Sequence, residues 1–201
     1  MVAGQTDMLK KIYQRLSRYA FFPRNYWNMR NVKNIKSRRI FEISYRGYKK
    51  EDALQVAKIY AQLNNGTRFA GLKSFLYAFI GNRCLLVATR ANEIEEEVII
   101  GVNMYYLNAR DVREKTIHEG FIGVIPSMTG KGIASAMRSI AKDHFKAAGF
   151  KGISTRISLN NVSSLQSAIK TGFTPIEEYA EPSTGDRRYY MIAKLIETHA
   201  E

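Results

Sequence analysis

The stretch HEGFIGVIPSMTGKGIASAMRSIAKDHFKAAGF, residues 118–150, decides how the chain is read. FIGVI (121–125) is an apolar run containing β-branched residues and closed by Pro126, which predicts a strand. Gly130 and Gly132 follow. Apolar residues then recur at Ile133, Met137, Ile140, Ala141, Phe145 and Ala148, a spacing that puts one stripe on one helical face. Gly149 is a helix stop. A strand feeding a glycine turn at a helix N-terminus aims unpaired N–H groups, at the positive end of the helix dipole, at whatever lies above them. That is an anion site.

Two common glycine loops are excluded. A P-loop needs Gly-Lys-Ser/Thr, but Gly132 precedes Ile133 and Lys131 lies between the glycines. A dinucleotide loop needs a third glycine, where this chain has Ser135.

Upstream of the stretch, IFEISYR (40–46) alternates as a strand, and KKEDALQVAKIYAQLNNG (49–66) carries a helical stripe at Leu54, Ala57, Tyr60 and Ala61. FAGLKSFLYAFI (69–80) reads as a second, more apolar helix or pair of turns. RCLLVATR (83–90) and EVIIGVNMYYLN (97–108) read as strands paired in a hairpin, and NARDVREKT (108–116) as a polar loop. Downstream, GISTRISL (152–159) is a strand. NNVSSLQSAIKTGF (160–173) is a short helix capped by Asn160 or Asn161 and stopped by Gly172. FTPIEEY and RRYYMIAKLI close the chain as strands around the loop EPSTGD. The order β-α-α-β-β-β-α-β-α-β-β implies an α/β (α+β mixed) fold, a mixed sheet with helices on both faces.

The 201 residues suit one domain plus an appendage. The single cysteine, Cys84, excludes a disulfide framework or a cysteine-rich metal site within one chain, and no metal is expected. In its apolar run it reads as a small buried hydrophobe rather than a catalytic thiol. No apolar run is long enough to span a membrane, and Lys10 and Lys11 are not followed by the apolar core of a signal peptide, so a cytoplasmic protein is expected. The net charge of +13 is uneven: residues 1–39 hold ten Lys or Arg against one acid, Asp7. This reads as a basic extension, 1–39, on a nearly balanced body, 40–201. Residues 5–21 pattern as an amphipathic helix stopped by Pro23. Such an arm packs on the body with a solvated basic face, or makes a peripheral contact with a membrane or polyanion. Nucleic acid is not expected, because no recognition motif accompanies the charge.

VIPSMTGKGIASAM (124–137), followed by NNVSSLQSAIKTGF (160–173), resembles the GNAT superfamily of acyl-CoA-dependent N-acyltransferases. The family signature, Q/R-x-x-G-x-G/A at a strand-to-helix turn, corresponds to Ser127-Met128-Thr129-Gly130-Lys131-Gly132. The later Asn and Gly-Phe correspond to Asn161 and Gly172-Phe173. The resemblance covers residues 40–195. It implies a central, mostly antiparallel sheet of about six or seven strands flanked by about four helices. It also implies acetyl-CoA, or another acyl-CoA, as co-substrate. Amides of Thr129, Gly130, Lys131, Gly132, Ile133 and Ala134 would hold the CoA pyrophosphate. The pantetheine arm would bond main-chain groups near Val124 and Ile125, in a gap opening between FIGVI and GISTRISL. Asn161 would bond the arm or only cap its helix. Lys131, Arg138 and Lys170 would meet the 3′-phosphate or stand as solvated cations.

The chain departs from the family in two places. Ser127 replaces Gln or Arg, a modest loss where backbone groups bind the phosphate. Ala168 stands where many members carry a Tyr that protonates the leaving thiolate. Tyr179, Tyr189, Tyr190 and Ser163 are substitutes to consider, or the thiolate leaves unaided. For the base, Glu119 corresponds to a catalytic Glu in several members; the alternative is that it pairs with a nearby Lys or Arg. His118, its neighbour, must face the opposite side of the sheet. The expected activity is acetyl transfer from acetyl-CoA to a primary amine by direct attack in a ternary complex, with an amino sugar or small amine as acceptor. Long-chain N-acylation of an amino acid, with residues 69–80 lining an acyl tunnel, is one alternative; a non-catalytic acyl-CoA sensor is another. A homodimer is compatible with either.

Overall fold

The computed structural model describes residues 19–92, 96–182 and 184–196. The amphipathic helix expected over 5–21 therefore lies almost wholly outside the described residues. Six α-helices are found among them: α1 (Phe21–Met29), α2 (Ala53–Leu63), α3 (Leu72–Cys84), α4 (Ala109–Glu114), α5 (Ile133–Ala147) and α6 (Val162–Lys170). Eight strands join them: β1 (Arg38–Ile40), β2 (Ile43–Gly47), β3 (Leu85–Ala91), β4 (Glu97–Tyr106), β5 (Thr116–Val124), β6 (Gly152–Ser158), β7 (Thr174–Ala180) and β8 (Arg187–Lys194). They form one sheet in the order β1-β2-β3-β4-β5-β6-β8-β7. Only β5 and β6 run parallel, as the α5 crossover between them requires; every other neighbouring pair is antiparallel.

The sheet has one strand more than the upper expectation. The stretch read as a single strand at 40–46 is broken by a turn at Phe41 and Glu42, with β1 and β2 on either side. The polar loop after β4 contains α4, closed by a reciprocal cap: the Asn108 side chain accepts from the Arg110 and Asp111 amides, and Asp111 accepts from the Asn108 amide. Pro23 does not stop a helix. It sits in the first turn of α1, where its missing N–H would have had no partner anyway.

Core packing follows the two faces of the sheet. α5 buries Ile133, Met137, Ile140, Ala141 and Phe145, five of the six residues of the stripe read from the sequence, and also one charged residue, Arg138; Ala148, the sixth, lies past the helix end and is exposed. On the opposite face α2 sets Tyr60 against Phe121 of β5, with ring centroids 4.7 Å apart. α3 buries Leu76, Tyr77 and Ile80 in the core, while Leu72, Phe75 and Phe79 on its other side are exposed. Cys84 is buried at the end of α3, its Sγ donating to the Ile80 carbonyl at 3.3 Å; burial pushes the thiol up, which keeps it unreactive.

The segment 19–39 is built into this body. Phe22 of α1 packs on Phe75 and Phe79 of α3 at 5.1 and 5.9 Å between centroids. Asn25, fully buried, exchanges hydrogen bonds with the backbone of Leu107, its Nδ2 donating to the carbonyl at 3.0 Å and its Oδ1 accepting from the amide at 2.6 Å. β1 spans the expected boundary at residue 39, and Arg38 pairs with Asp143 of α5 at 2.8 Å.

Candidate active site

Hydrogen-bonded register between β5 and β6 runs from Thr116–Gly152 to Glu119–Thr155 and ends there, although both strands continue. The gap expected between these strands therefore begins after Glu119. A bulge reinforces it. Tyr105 of β4 faces Glu119 and Met104 faces Phe121, leaving Gly120 as the extra residue. A Cβ at Gly120 would lie 2.1 Å from Tyr106 Cε1, so only glycine fits under that ring.

A cavity of about 520 Å³ lies along β5 beyond that point. It reaches from Asn161, Ser163 and Ser164 at the N-terminus of α6, past Ile122, Gly123 and Val124, to Leu63 at the end of α2 on the other face. Seven of the nine residues expected to hold CoA line it: Val124, Thr129, Gly130, Gly132, Ile133, Ala134 and Asn161. Ile125 and Lys131 do not; Ile125 packs against the core, and the Lys131 ammonium lies 3.5 Å from Met128 Sδ. Gly130 and Gly132 adopt φ of +78° and +77°, a left-handed turn that aims successive amides one way. No N–H from Gly130 to Ser135 has a backbone acceptor among the described residues, whereas Ala136 already donates to Gly132. Asn161 Oδ1 caps α6 by accepting from Ser164 N at 3.1 Å, which leaves its Nδ2 for the cavity.

The cations expected at the 3′-phosphate separate. Lys170 lines the cavity. Arg138 does not stand as a solvated cation: its guanidinium clamps Glu119, with Nη2–Oε1 at 2.7 Å and Nε–Oε2 at 3.1 Å, and both side chains are 1% exposed. Burial alone would lower the guanidinium's affinity for its proton, but the Glu119 charge wins and raises it. Nη1 also donates to Ser167 of α6 at 3.0 Å, so one side chain ties β5, α5 and α6 together beneath the cavity. Asn103 and Tyr105 also donate to Glu119 Oε2, at 3.2 and 3.4 Å. The carboxylate is thus fully engaged, and its partner is a helical arginine that sequence reading had aimed at a phosphate. The signal was available: Arg138 is the one charge within the apolar stripe of α5.

His118 faces the opposite side, as alternation requires. Its Nδ1 lies 2.7 Å from Ser154 Oγ, and that hydroxyl donates to Asp111 Oδ1 at 2.7 Å. Burial, then the nearby Arg156 charge, pushes the imidazole down to about 3. It is neutral at pH 7 and a poor proton acceptor. Tyr106, stacked edge-on against His118 at 5.1 Å, is pushed up to about 12 by burial and stays a phenol. Ala168 is buried in the core beside Phe173, so its own position supplies no hydroxyl; the α6 hydroxyls that line the cavity are those of Ser163, Ser164 and Ser167. Tyr179 and Tyr190 each bury a hydroxyl with no hydrogen-bond partner among the described residues, and Tyr189 packs against the core. No group of three or more His, Cys, Asp or Glu among the described residues is placed to hold a metal.

The comparisons agree with this architecture. Residues 56–173 match the model of the acetyltransferase (GNAT) family. No curated protein sequence matches significantly. Among solved structures, the fold is similar to a chain of the NatC complex bound to Gag peptide and CoA (TM-score 0.66, 16% identity, covering 78% of this chain and 100% of that one). It is also similar to yncA, a putative acetyltransferase from Salmonella typhimurium with acetyl-CoA (0.62, 19%, 79% and 97%). A third similar structure is diaminobutyrate acetyltransferase EctA from Paenibacillus lautus with L-2,4-diaminobutyric acid and coenzyme A (0.62, 17%, 79% and 99%). With the family model matching more than half of its length, over the gap and the glycine turn, the chain belongs to the GNAT acetyltransferase family.

Proposed function

We propose that this protein transfers an acetyl group from acetyl-CoA to a primary amine by direct attack within a ternary complex. One observation carries the reading: the cavity runs along β5 beyond its last pair with β6 and borders the turn whose six consecutive amides, from Gly130 to Ser135, have no backbone acceptor among the described residues. A pyrophosphate on those amides needs no metal. An extended pantetheine arm would complete the unpaired edge of β5 near Val124 and bring its thioester to the bulge at Gly120.

The transfer moves one proton in each direction. The neutral amine nitrogen bonds to the thioester carbon, the carbon–sulfur bond breaks so that CoA leaves as thiolate, and the proton freed from nitrogen passes to solvent. Glu119 enters as a positioning residue: bound to Arg138, it fixes the end of the β5–β6 ladder to α5 and α6, hence the width of the gap. His118 is too weak a base for an alkylammonium. The amine therefore reacts as the neutral fraction, which nearby positive charge enlarges by lowering the ammonium pKa. For the leaving group, Tyr106 is a neutral phenol on the acceptor face beside the bulge, and is the proton donor we assign. The neighbouring structures carry a peptide in one case and a diamino acid in another, which supports an amine acceptor for this chain without fixing its size.

The test is CoA release from acetyl-CoA with a panel of amines, combined with acetyl-CoA binding by calorimetry. Amine-dependent release with stoichiometric N-acetylated product is the expected result. Tight CoA binding with no release above hydrolysis for any amine would overturn the enzyme reading in favour of a sensor.

A further inference from the structure

On the face opposite α5, side chains from four elements converge just past the last β5–β6 pair: Lys73 of α3, Tyr106 of β4, His118 of β5 and Arg156 of β6. Lys73 Nζ lies 5.9 Å from the Tyr106 ring centroid. Arg156 is the first β6 residue beyond the last paired position, Thr155, and follows Ser154, the hydrogen-bond partner of His118, along the same face. Lys73 and Arg156 both act electrostatically on His118, so the two cations share one small region. Neither has an acid or a hydrogen-bond acceptor among the described residues. Elsewhere on this face the arginines are neutralised: Arg110 by Glu114 and Glu177, Arg188 by Asp186 and Glu181.

Two cations without a counterion near the same His118 repel each other and would repel an approaching ammonium. Desolvation by the neighbouring aromatic surface lowers the Lys73 ammonium pKa, although the residue remains exposed. Tyr179 of β7, two strands away across β8 but still within reach of the Arg156 charge, buries a hydroxyl that lacks a partner among the described residues. A group that accepts hydrogen bonds and carries negative charge satisfies all three at once. Approach from this face would bring an acceptor to the bulge at Gly120 on the side away from α5 and α6.

Resting on the acetyltransferase reading above, we infer that the acceptor is an anionic amine, whose carboxylate or phosphate is held by Lys73 and Arg156 while its amino group reaches the bulge at Gly120. An amino acid or acidic peptide would supply a carboxylate; a phosphorylated or nucleotide-linked amino sugar would supply a phosphate. The anion offsets the cations, and what remains of their field keeps the amine neutral.

The experiment compares matched acceptors on the full-length protein: alanine against alaninamide for the carboxylate, and glucosamine 6-phosphate against glucosamine for the phosphate. The anionic member of at least one pair should have kcat/KM about tenfold or more above its neutral partner. Arg156→Gln and Lys73→Gln should each collapse that ratio toward one, through KM of the anionic member. Equal kcat/KM within both pairs, or a preference that survives both substitutions, overturns the inference while leaving the acetyltransferase reading intact. A second readout covers the case in which no amine reacts. Titrating inorganic phosphate or acetate should shift the His118 ring resonances saturably, and Arg156→Gln should abolish the shift. Saturable binding without turnover leaves the anion site standing and removes the enzyme reading. An unmoved His118 signal overturns the anion site.

Discussion

Glu119→Gln separates the two jobs a glutamate at this point on β5 can have. The structure gives it a buried ion pair with Arg138, both side chains 1% exposed, with Asn103 and Tyr105 donating to the same carboxylate. Removing one partner of such a pair leaves the other charge buried and uncompensated, at a cost of about 3–5 kcal/mol. For a chain of this length each kcal/mol lowers Tm by about 2–4 °C, so a drop of about 6–20 °C is expected. Arg138→Met should cost a comparable amount. The double variant should be less destabilised than either single one, because replacing both charges removes the buried net charge along with the bond. Thermal unfolding of the three variants measures this, and acetyl transfer at 25 °C, where all remain folded, measures the rest. As a positioning pair, Glu119 and Arg138 should lose activity together and keep the wild-type shape of the pH–rate profile. Suppose instead that Glu119→Gln keeps Tm within about 2 °C of wild type, loses about 10²–10⁴ in kcat, and loses the acid limb of the profile. Glu119 is then the base, and the argument from its burial is refuted.

Other expected outcomes test the fold and the donor half of the site. Gly132→Ala forces a side chain into φ +77° where no neighbour blocks it, so stability should fall by only about 1–2 kcal/mol while the Kd for CoA rises several-fold; unchanged CoA binding would place the pyrophosphate elsewhere. Asn25→Leu strips three hydrogen bonds from a buried position and should cost about 2 kcal/mol or more in chemical denaturation. Deleting residues 1–39 removes α1 and most of β1, and should destabilise the body well beyond that; a truncated body of wild-type Tm would make the segment a true appendage. Glu97, hydrogen-bonded to Arg46 and Thr89, is held down to about 2. Because its folded pKa lies below the unfolded one, its contribution is complete above about pH 4.5 and is lost as pH falls toward 2. Glu97→Gln should flatten that limb of the stability curve, and an unaltered limb would assign it to other carboxylates.

Much of the fold was legible because periodicity reports burial. The β3–β4 hairpin, the apolar stripe of α5 and the helix ended by Gly172-Phe173 all follow from local patterns that packing did not override. α4 was missed because it is a short, mostly polar helix with only Ala109 and Val112 apolar and no stripe, yet the capping pair Asn108 and Asp111 was in the sequence. α1 was missed because Pro23 reads as a stop, although a proline in the first turn costs a helix nothing. Arg138 was legible as a charge and not as a partner, since its stripe says that it is buried and nothing says against what.

By itself, then, the sequence determined the order of elements, the glycine turn and its unpaired amides, because these depend on backbone conformation and on neighbours within a few residues. Only the tertiary structure decided where β5 and β6 part, that Glu119 is bound to Arg138, and that Lys73 and Arg156 lie near the same His118 without a counterion among the described residues. Those facts depend on contacts between residues far apart in the chain, whose energies are set by burial and by the company each charge keeps. A charge written in the sequence has no fixed role until the fold supplies or withholds its counterion.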